Sequence, residues 1–504
     1  MGSQPDVLIA GASLGGVAAA LAAARNGLRV LLLAEGEWIG GQLTSQGVPP
    51  DEHGWIEEQG CTASYRNLRN RIRAHYGLKN PGNGWVSPVC HEPRVSQEIL
   101  RELTARAGVE IWERSTVTAV DMNGDWVREA LVRRDGKEVS VAAKWFLDAT
   151  ELGDLLPLCG AEFESGSPGR PENAQAFSWC FAMEHFEGQD HRIPRPARYG
   201  YWRDYVPKLS PPWPGKLLDW TTPHPRTMEP MKYRFAPHEE APVAFSGLWT
   251  YRRLIDRSLF EPARYASDIC LVNWPLIDYL GGDLCTASPG ERERRLAEAR
   301  EMSECVFYWL QNDAPRPDGG TGWPGLRLAG EALGTDDGFA REPYIRESRR
   351  IRALRTVVEE DVSAEARPGR NLAEVYPDSV GVGSYRIDLH PSVSGDNYVD
   401  VASLPFQIPL GALVPVRLRN LLPACKNLGT THVTNGCYRL HPVEWNIGEA
   451  AGLLAAYCQA RNTEPHAMAE DFADFQRLLE KEGVQLEWPT DLDLSKGDPH
   501  RHAY

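Results

Sequence analysis

The sequence predicts an α/β fold: a parallel-sheet, nucleotide-binding unit interrupted by a β-meander and interleaved with a mixed α+β domain. Three observations predict it. Residues 6–35, "DVLIAGASLGGVAAALAAARNGLRVLLLAE", read as strand, glycine turn, helix, strand and terminal acid. The dipeptides Asn123-Gly124 and Asp135-Gly136 are strong hairpin turns between alternating strands. A short apolar strand, a glycine-bearing loop and a helix of small residues then recur between Asn420 and Asn462.

In the first unit, Asp6–Ala10 is apolar enough for a strand buried on both faces. Leu14–Arg25 reads as a helix stopped by Asn26-Gly27, and Arg29–Glu35 as the second strand. Gly11 allows the tight turn, and Gly16 lets the helix pack closely on the strand. Ser13 stands where a middle glycine lets backbone approach a pyrophosphate, and its hydroxyl offers a hydrogen bond to phosphate. Leu14 and Gly15 open the helix, whose free N–H groups and positive dipole end favour an anion. Glu35 is positioned to accept hydrogen bonds from ribose hydroxyls. An adenine dinucleotide is the expected ligand; the competing reading is a βαβ unit that binds nothing.

The loop "WIGGQLTSQG", 38–47, follows the acid. Its paired Gly40 and Gly41 let the chain pass close to a cofactor, a feature that flavoproteins often have and an NAD fingerprint does not require. Val109–Glu113 reads as a short strand, followed by the three-stranded meander, whose last strand runs from Val139 to Asp148 into "DATELGD". The acids Asp148, Glu151 and Asp154 either cap and solvate that loop or shape a turn near the cofactor. The last helix is expected to begin near Pro442, a favoured first position. Val443, Ile447, Ala450, Ala451 and Leu454 share one face, and Gly448, Ala450, Ala451 and Gly452 permit close packing.

Together with "REPYIRESRRI" (341–351) and "GSYRIDLHP" (383–391), these blocks resemble the FAD-dependent oxidoreductase family with a glutathione-reductase-type FAD domain. The resemblance spans about residues 6–460 and is weakest between about 185 and 320. It implies FAD, with its adenosine end on the N-terminal turn and Glu35. It implies further cofactor contacts at Gly40, Gly41, Gln42, Leu43, Thr44, Ala149, Thr150, Asp154 and Asn427. Val117 matches the position whose backbone touches adenine. The last helix would aim its N-terminus at the flavin pyrimidine ring, with backbone N–H groups near Asn446 and Ile447. Ser13 and the longer "ELGD" depart from the family pattern and read as tolerated variants.

Substrate oxidation over a flavin often needs a base, and histidine suits that role near neutral pH. His390, His432 and His441 are the candidates, with Tyr385 beside them. Read as a helix, Arg341–Arg350 carries Glu342, Arg346 and Arg350 at four-residue spacing. It is then a solvated charged face or, in a sharper reading, a site where Tyr344 and Arg346 grip an anionic substrate. Gly60–Gly77 reads as an amphipathic helix that brings Cys61 or Tyr65 to the flavin.

Residues 1–160 with 410–462 are expected to form the FAD domain, 161–409 the substrate domain, and 463–504 a C-terminal helix with a frayed tail. The expected reaction is hydride transfer from a small organic molecule, anionic or ring-containing, to flavin N5. A flavin monooxygenase and a non-redox protein with a structural dinucleotide are the alternatives. The formal net charge of −15 argues against a nucleic-acid partner and gives no reason to expect attraction to an anionic membrane surface. The longest apolar stretch, Leu14–Ala24, is too short to span a bilayer. Ten cysteines without a CxxC pair suggest reduced thiols in a cytoplasmic protein, with no metal site. Nine of the sixteen tryptophans lie between Trp145 and Trp323, as core packing or as walls of a substrate pocket. The oligomeric state is left open.

Overall fold

The computed structural model describes residues 4–238, 246–470 and 472–496. The expected frayed end, 497–504, lies outside them. At the centre is a five-stranded parallel sheet built on β1 (Val7–Ala10). β2 (Val30–Leu33) pairs on one side of it and β7 (Trp145–Asp148) on the other. β3 (Glu110–Trp112) extends the sheet beyond β2, and Leu421–Pro423 extends it beyond β7. The sheet therefore recruits a strand more than four hundred residues from its own centre. Both faces of β1 and β2 are buried, which is why the two strands are continuously apolar.

Helix α1 (Leu14–Arg25) starts at Ser13, whose Oγ accepts the Gly16 N–H at 3.1 Å. The His441–Arg461 helix packs across it. At that crossing a Cβ on Gly448 would fall on the Gly15 carbonyl, and one on Gly452 on the Ala19 carbonyl. The small residues are there to bring two backbones into contact.

β4 (Ser115–Asn123), β5 (Trp126–Arg134) and β6 (Lys137–Ala142) form the antiparallel meander. Asp135 and Gly136 both have positive φ, +50° and +75°, as a type I′ hairpin requires. The first turn is Gly124-Asp125, one residue later than expected, since Asn123 still pairs with Trp126. The single strand expected over Val139–Asp148 is two. The chain leaves the meander at Ala142 and enters the parallel sheet at Trp145, so one run of apolar residues serves two sheets.

Residues 341–349 form no helix. Pro343 interrupts the run, and the backbone donors go to distant partners instead. Glu342 N–H bonds Ser45 O, Tyr344 bonds Ser178 O, Arg349 bonds Leu152 O and Ile351 bonds Asn427 O. The segment is an extended strap across four elements, and Arg346 and Arg350 are buried rather than solvated.

The rest of the chain builds a four-stranded antiparallel sheet from Arg253–Ile255, Ile269–Val272, Phe181–His185 and Leu326–Leu328. A long helix, Pro289–Asn312, carries a Ser288–Glu291 capping box. The hairpin of Ile387–Leu389 and Val399–Val401 sets Asp388 directly opposite Asp400.

Candidate active site

A cavity of about 330 Å³ opens where α1 begins and β1 and β7 end. Gly11, Ser13, Glu35, Gly41, Ala149 and Thr150 help line it. This is the carboxyl edge of a parallel sheet at its topological switch point, where such sheets bind nucleotides. Gly11 has φ +92°, and any Cβ there would strike the Ala149 carbonyl. A Cβ on Gly16 would strike the Gly11 carbonyl, and one on Gly41 would fill the space in front of Glu151. Gly40 N–H bonds Ala12 O at 2.7 Å, so the second glycine loop rests on the first. These stripped-back surfaces and the helix N-terminus fit an adenosine diphosphate moiety.

Solvent reaches Glu35 through this cavity, yet its carboxyl is pushed up to about 8. Burial among the surrounding protein is the main cause, followed by the neighbouring Asp154 and Glu342 carboxylates. Asp154 is held by Arg349 at 2.7 Å and Arg292 at 3.2 Å. Glu151 pairs with the buried Lys426 and leaves Oε1 without a hydrogen-bond partner.

From this cavity the Gly40–Thr44 loop leads toward the last helix. Gln42 Nε2 donates to Arg439 O at 3.1 Å and to Glu444 Oε2 at 2.6 Å, while Gly15 N–H donates to Glu444 Oε1 at 3.1 Å. Leu43 is buried, and Thr44 Oγ1 donates to Ile39 O at 2.6 Å. Ala149 N–H bonds Ala10 O, Thr150 Oγ1 donates to Asp148, and Asn427 Nδ2 donates to Asp148 O. Val117 lies in β4, two residues after Ser115, whose N–H bonds Ala34 O beside Glu35.

Asn446 and Ile447 do not offer free N–H groups. They lie inside a helix that begins at His441, where such donors serve the i→i−4 ladder. The Asn446 amide instead clasps the Ser379–Gly383 strand, through Val380 O and Val382 N–H.

A second, larger cavity of about 830 Å³ begins at the far end of this loop. Arg439 and Asp51 are on its wall; Asp51 N–H bonds His441 Nδ1 at 3.1 Å. His390, Tyr385, Arg346 and Tyr344 are also on the wall. His390 Nδ1 meets Asp278 Oδ2 at 2.6 Å, so that nitrogen is committed to the carboxylate. Asp278 also accepts from Ser178 Oγ at 2.8 Å and pairs with Arg346 at 3.2 Å. Burial alone would raise the Asp278 carboxyl; His390 and Arg346 outweigh it and hold it below its ordinary range.

The other two histidines are not on either wall. His441 is fully buried with both nitrogens spent, Nδ1 on Asp51 N–H and Nε2 on Val48 O. Burial lowers its pKa to about 4, so it is neutral. His432 pairs with Glu347 at 2.8 Å, beside Arg350. Tyr65 donates its hydroxyl to Glu52, and burial raises the Cys61 thiol to about 11. Of the nine central tryptophans only Trp274 reaches the large cavity; the others serve packing.

Sequence reasoning missed Asp278, Asp51, Arg252, Asp388 and Trp85. One signal was available. Arg386, Asp388 and His390 alternate along "RIDLH", and period two puts them on one face of a strand. Asp278 sits in "WPLIDYL" with no comparable signal.

Among the described residues no helix is long and apolar enough to cross a membrane, and no group of three or more His, Cys, Asp or Glu could hold a metal ion. All ten cysteines are free and buried.

A family model described as FAD dependent oxidoreductase matches residues 6–479. A curated digeranylgeranylglycerophospholipid reductase from Picrophilus torridus is 29% identical over 155 residues, 29% of this chain and 38% of that protein. The chain thus matches well under two thirds of that relative's length. Among solved structures, p-nitrophenol 4-monooxygenase from Pseudomonas putida DLL-E4 is 14% identical, with 70% of each chain covered and a TM-score of 0.30. A geranylgeranyl bacteriochlorophyll reductase-like protein from Thermoplasma acidophilum is 21% identical, with 37% of this chain and 48% of that one covered and a TM-score of 0.24.

Proposed function

The chain belongs to the FAD dependent oxidoreductase family and is an FAD enzyme; from that premise we propose that it oxidises a small organic substrate in the larger cavity, with His390 as the base. We read its FAD domain as the glutathione-reductase type, a reading supported by the parallel sheet with its three-stranded meander. Gly11, Ser13 and Leu14 would hold the pyrophosphate, with Gly15 and Gly16 shaping the turn because their N–H groups are already bonded to Glu444 and Ser13. Glu35 would hold the ribose, and the Gly40–Thr44 loop the stretch toward the flavin. When bound, FAD supplies a two-electron acceptor whose N5 takes hydride from the substrate carbon.

The observation that carries this reading is His390 on the cavity wall, paired with the buried Asp278. With Nδ1 on a carboxylate, His390 would use Nε2 toward the substrate. It takes the proton of the substrate hydroxyl as the carbon loses hydride, and Asp278 stabilises the imidazolium that results. Tyr385 and Tyr344 orient the substrate, and the aromatic wall excludes water.

Anaerobic mixing of the yellow holoenzyme with a panel of small alcohols, acids and amines tests the reading. Bleaching by at least one compound, lost in His390→Gln with FAD retained, is expected. Oxygen-dependent hydroxylation of the product would replace it with a monooxygenase, and no bleaching by any donor would leave FAD a structural role.

A further inference from the structure

The wall of the large cavity carries four arginines and three aspartates. Each arginine on its wall is spent on a carboxylate. Arg252 pairs with Asp51 at 3.0 Å, Arg439 with Asp388 at 3.2 Å, Arg346 with Asp278 at 3.2 Å, and Arg386 with Asp400. Arg226, behind the wall, reaches Asp400 as well, at 3.2 Å. Asp388 is the outer partner of its pair, 26% exposed against 3% for Arg439, and His390 is 18% exposed; Asp51 and Asp400 lie as deep as the arginines that hold them, 4% and 5% against 9% each. Each charge that an anionic substrate would meet on a guanidinium is already matched by a carboxylate, and what the Nε donors of Arg252, Arg346 and Arg439 lack is a hydrogen-bond acceptor. A cationic one would meet acids already neutralised by arginine.

The acids have a cost that packing does not explain. Asp388 and Asp400 face each other across a two-stranded ladder, and like charges in that position destabilise a hairpin. Arg439 and Arg386 offset the repulsion and fix both carboxylates in place. Two oriented carboxylates, a histidine and tyrosine hydroxyls form a set of hydrogen-bond partners for hydroxyl groups.

The remaining wall is aromatic. Trp85 and Tyr251 lie 5.3 Å apart at 30°, and Tyr398 meets His390 edge-on at 5.4 Å. Trp274 Nε1 and Tyr398 OH are buried without a hydrogen-bond partner, and each needs an acceptor. Flat apolar platforms beside fixed donors and acceptors match a ring with C–H faces and a hydroxyl rim.

We infer that the substrate is a neutral polyhydroxylated ring, a monosaccharide, simple glycoside or cyclitol, held with its rim on Asp388 and its face on the Trp85–Tyr251 wall. This inference rests on the proposed use of the large cavity as the substrate site. It replaces the anion grip expected of Arg346, which is occupied by Asp278, Ser178 and the Ala176 carbonyl.

Titration calorimetry on the holoenzyme tests it, with methyl β-D-glucopyranoside, methyl β-D-galactopyranoside and myo-inositol against D-glucuronate and tyramine. Each is carried to about 10 mM, above ordinary KM values. Saturable binding of at least one neutral ring is expected, at least about tenfold tighter than glucuronate or tyramine. The glycosides and myo-inositol distinguish a sugar from a cyclitol. Asp388→Asn and, independently, Trp85→Leu should each weaken that binding at least about tenfold, with the flavin absorbance spectrum retained as proof of folding. No binding by any neutral ring, glucuronate or tyramine binding as tightly, or unaltered binding in both variants would each overturn the inference. Binding without anaerobic bleaching would leave the substrate class standing and remove the oxidation chemistry. Bleaching only by glucuronate or tyramine would do the reverse.

Discussion

The two cavities are built by opposite means. The smaller one is a backbone surface: Gly11, Gly15, Gly16, Gly41 and Gly448 remove side chains so that turns and helices touch. The larger one is a side-chain surface, in which ion pairs and aromatic rings come from residues as far apart as Asp51 and Arg439. A backbone site tolerates almost no added atom but is indifferent to most exposed chemistry. A side-chain site tolerates volume changes but loses function with a single proton-bearing group. Mutations should therefore split by kind: additions damage the first region, and isosteric replacements damage the second.

The largest effect is expected from Gly448→Ala. Its new methyl would lie on the Gly15 carbonyl, so α1 and the last helix must separate at the start of the cofactor cradle. A cost of about 4 kcal/mol or more places it among exceptional substitutions, and purified protein should be colourless. Gly290→Ala is the control, since nothing lies within 4 Å of that Cβ in the first turn of the Pro289–Asn312 helix. It should leave the melting temperature unchanged or raise it, because alanine is the better helix former. Equal damage from both would erase the contrast between regions.

His390→Gln comes next. Loss of a general base should lower kcat by about 10²–10⁴, with FAD content and melting temperature little changed. Asp278→Asn removes the partner that orients His390 and should cost about 10–100-fold in kcat. His441→Gln should do the converse: it breaks two buried hydrogen bonds and costs about 1–3 kcal/mol of stability, while kcat stays within about threefold. Kinetics and thermal melts on the three variants sort the histidines. A kcat loss in His441→Gln as large as that in His390→Gln would break the assignment.

Acid pH should reach the scaffold through three buried histidines that line neither cavity. Burial lowers His53, His91 and His441 to about 4 each. Their unfolded value is near 6.5, so between those limits the unfolded chain binds more protons than the folded one. Their contribution is fully present above pH 6.5 and is lost as pH falls toward 4, by up to about 3 kcal/mol for each histidine. Urea midpoints of the holoenzyme at pH 7.5 and 5 measure it; equal midpoints would mean that these rings are not held neutral.

The same division explains what was legible in the sequence. Gly11, Ser13, Gly16 and Glu35 were readable because one βαβ unit fixes their roles within thirty residues. The large cavity was readable only where local pattern touched it, at Tyr344, Arg346, Tyr385 and His390. Residues 341–349 misled because four-residue charge spacing imitates a helix, whereas the acceptors that straighten the strap are the Ser45, Ser178 and Leu152 carbonyls, invisible along the chain. Asn446 misled for a smaller reason. The helix starts within one residue of the expected Pro442, but its free donors end with the first turn, since Glu444 N–H already bonds Leu440 O.

The smallest expected effect concerns Ser13, the one departure in the glycine turn. Its Oγ caps α1 by accepting the Gly16 N–H. As a cap it belongs to the backbone logic of the cradle, and its substitution should be graded by capping rules. Ser13→Ala should cost about 1 kcal/mol, and Ser13→Gly only a few tenths, because glycine is itself an adequate N-cap. A hydroxyl that also bonds the pyrophosphate would alter this order in FAD affinity. Both variants would then lose FAD affinity equally, since neither alanine nor glycine can donate. Fluorescence titration of apoprotein with FAD, read beside the thermal melts, separates the two roles. Equal loss of FAD affinity with unequal loss of stability assigns Ser13 to both, and loss of stability alone makes it a cap in a cradle whose phosphate contacts are all backbone.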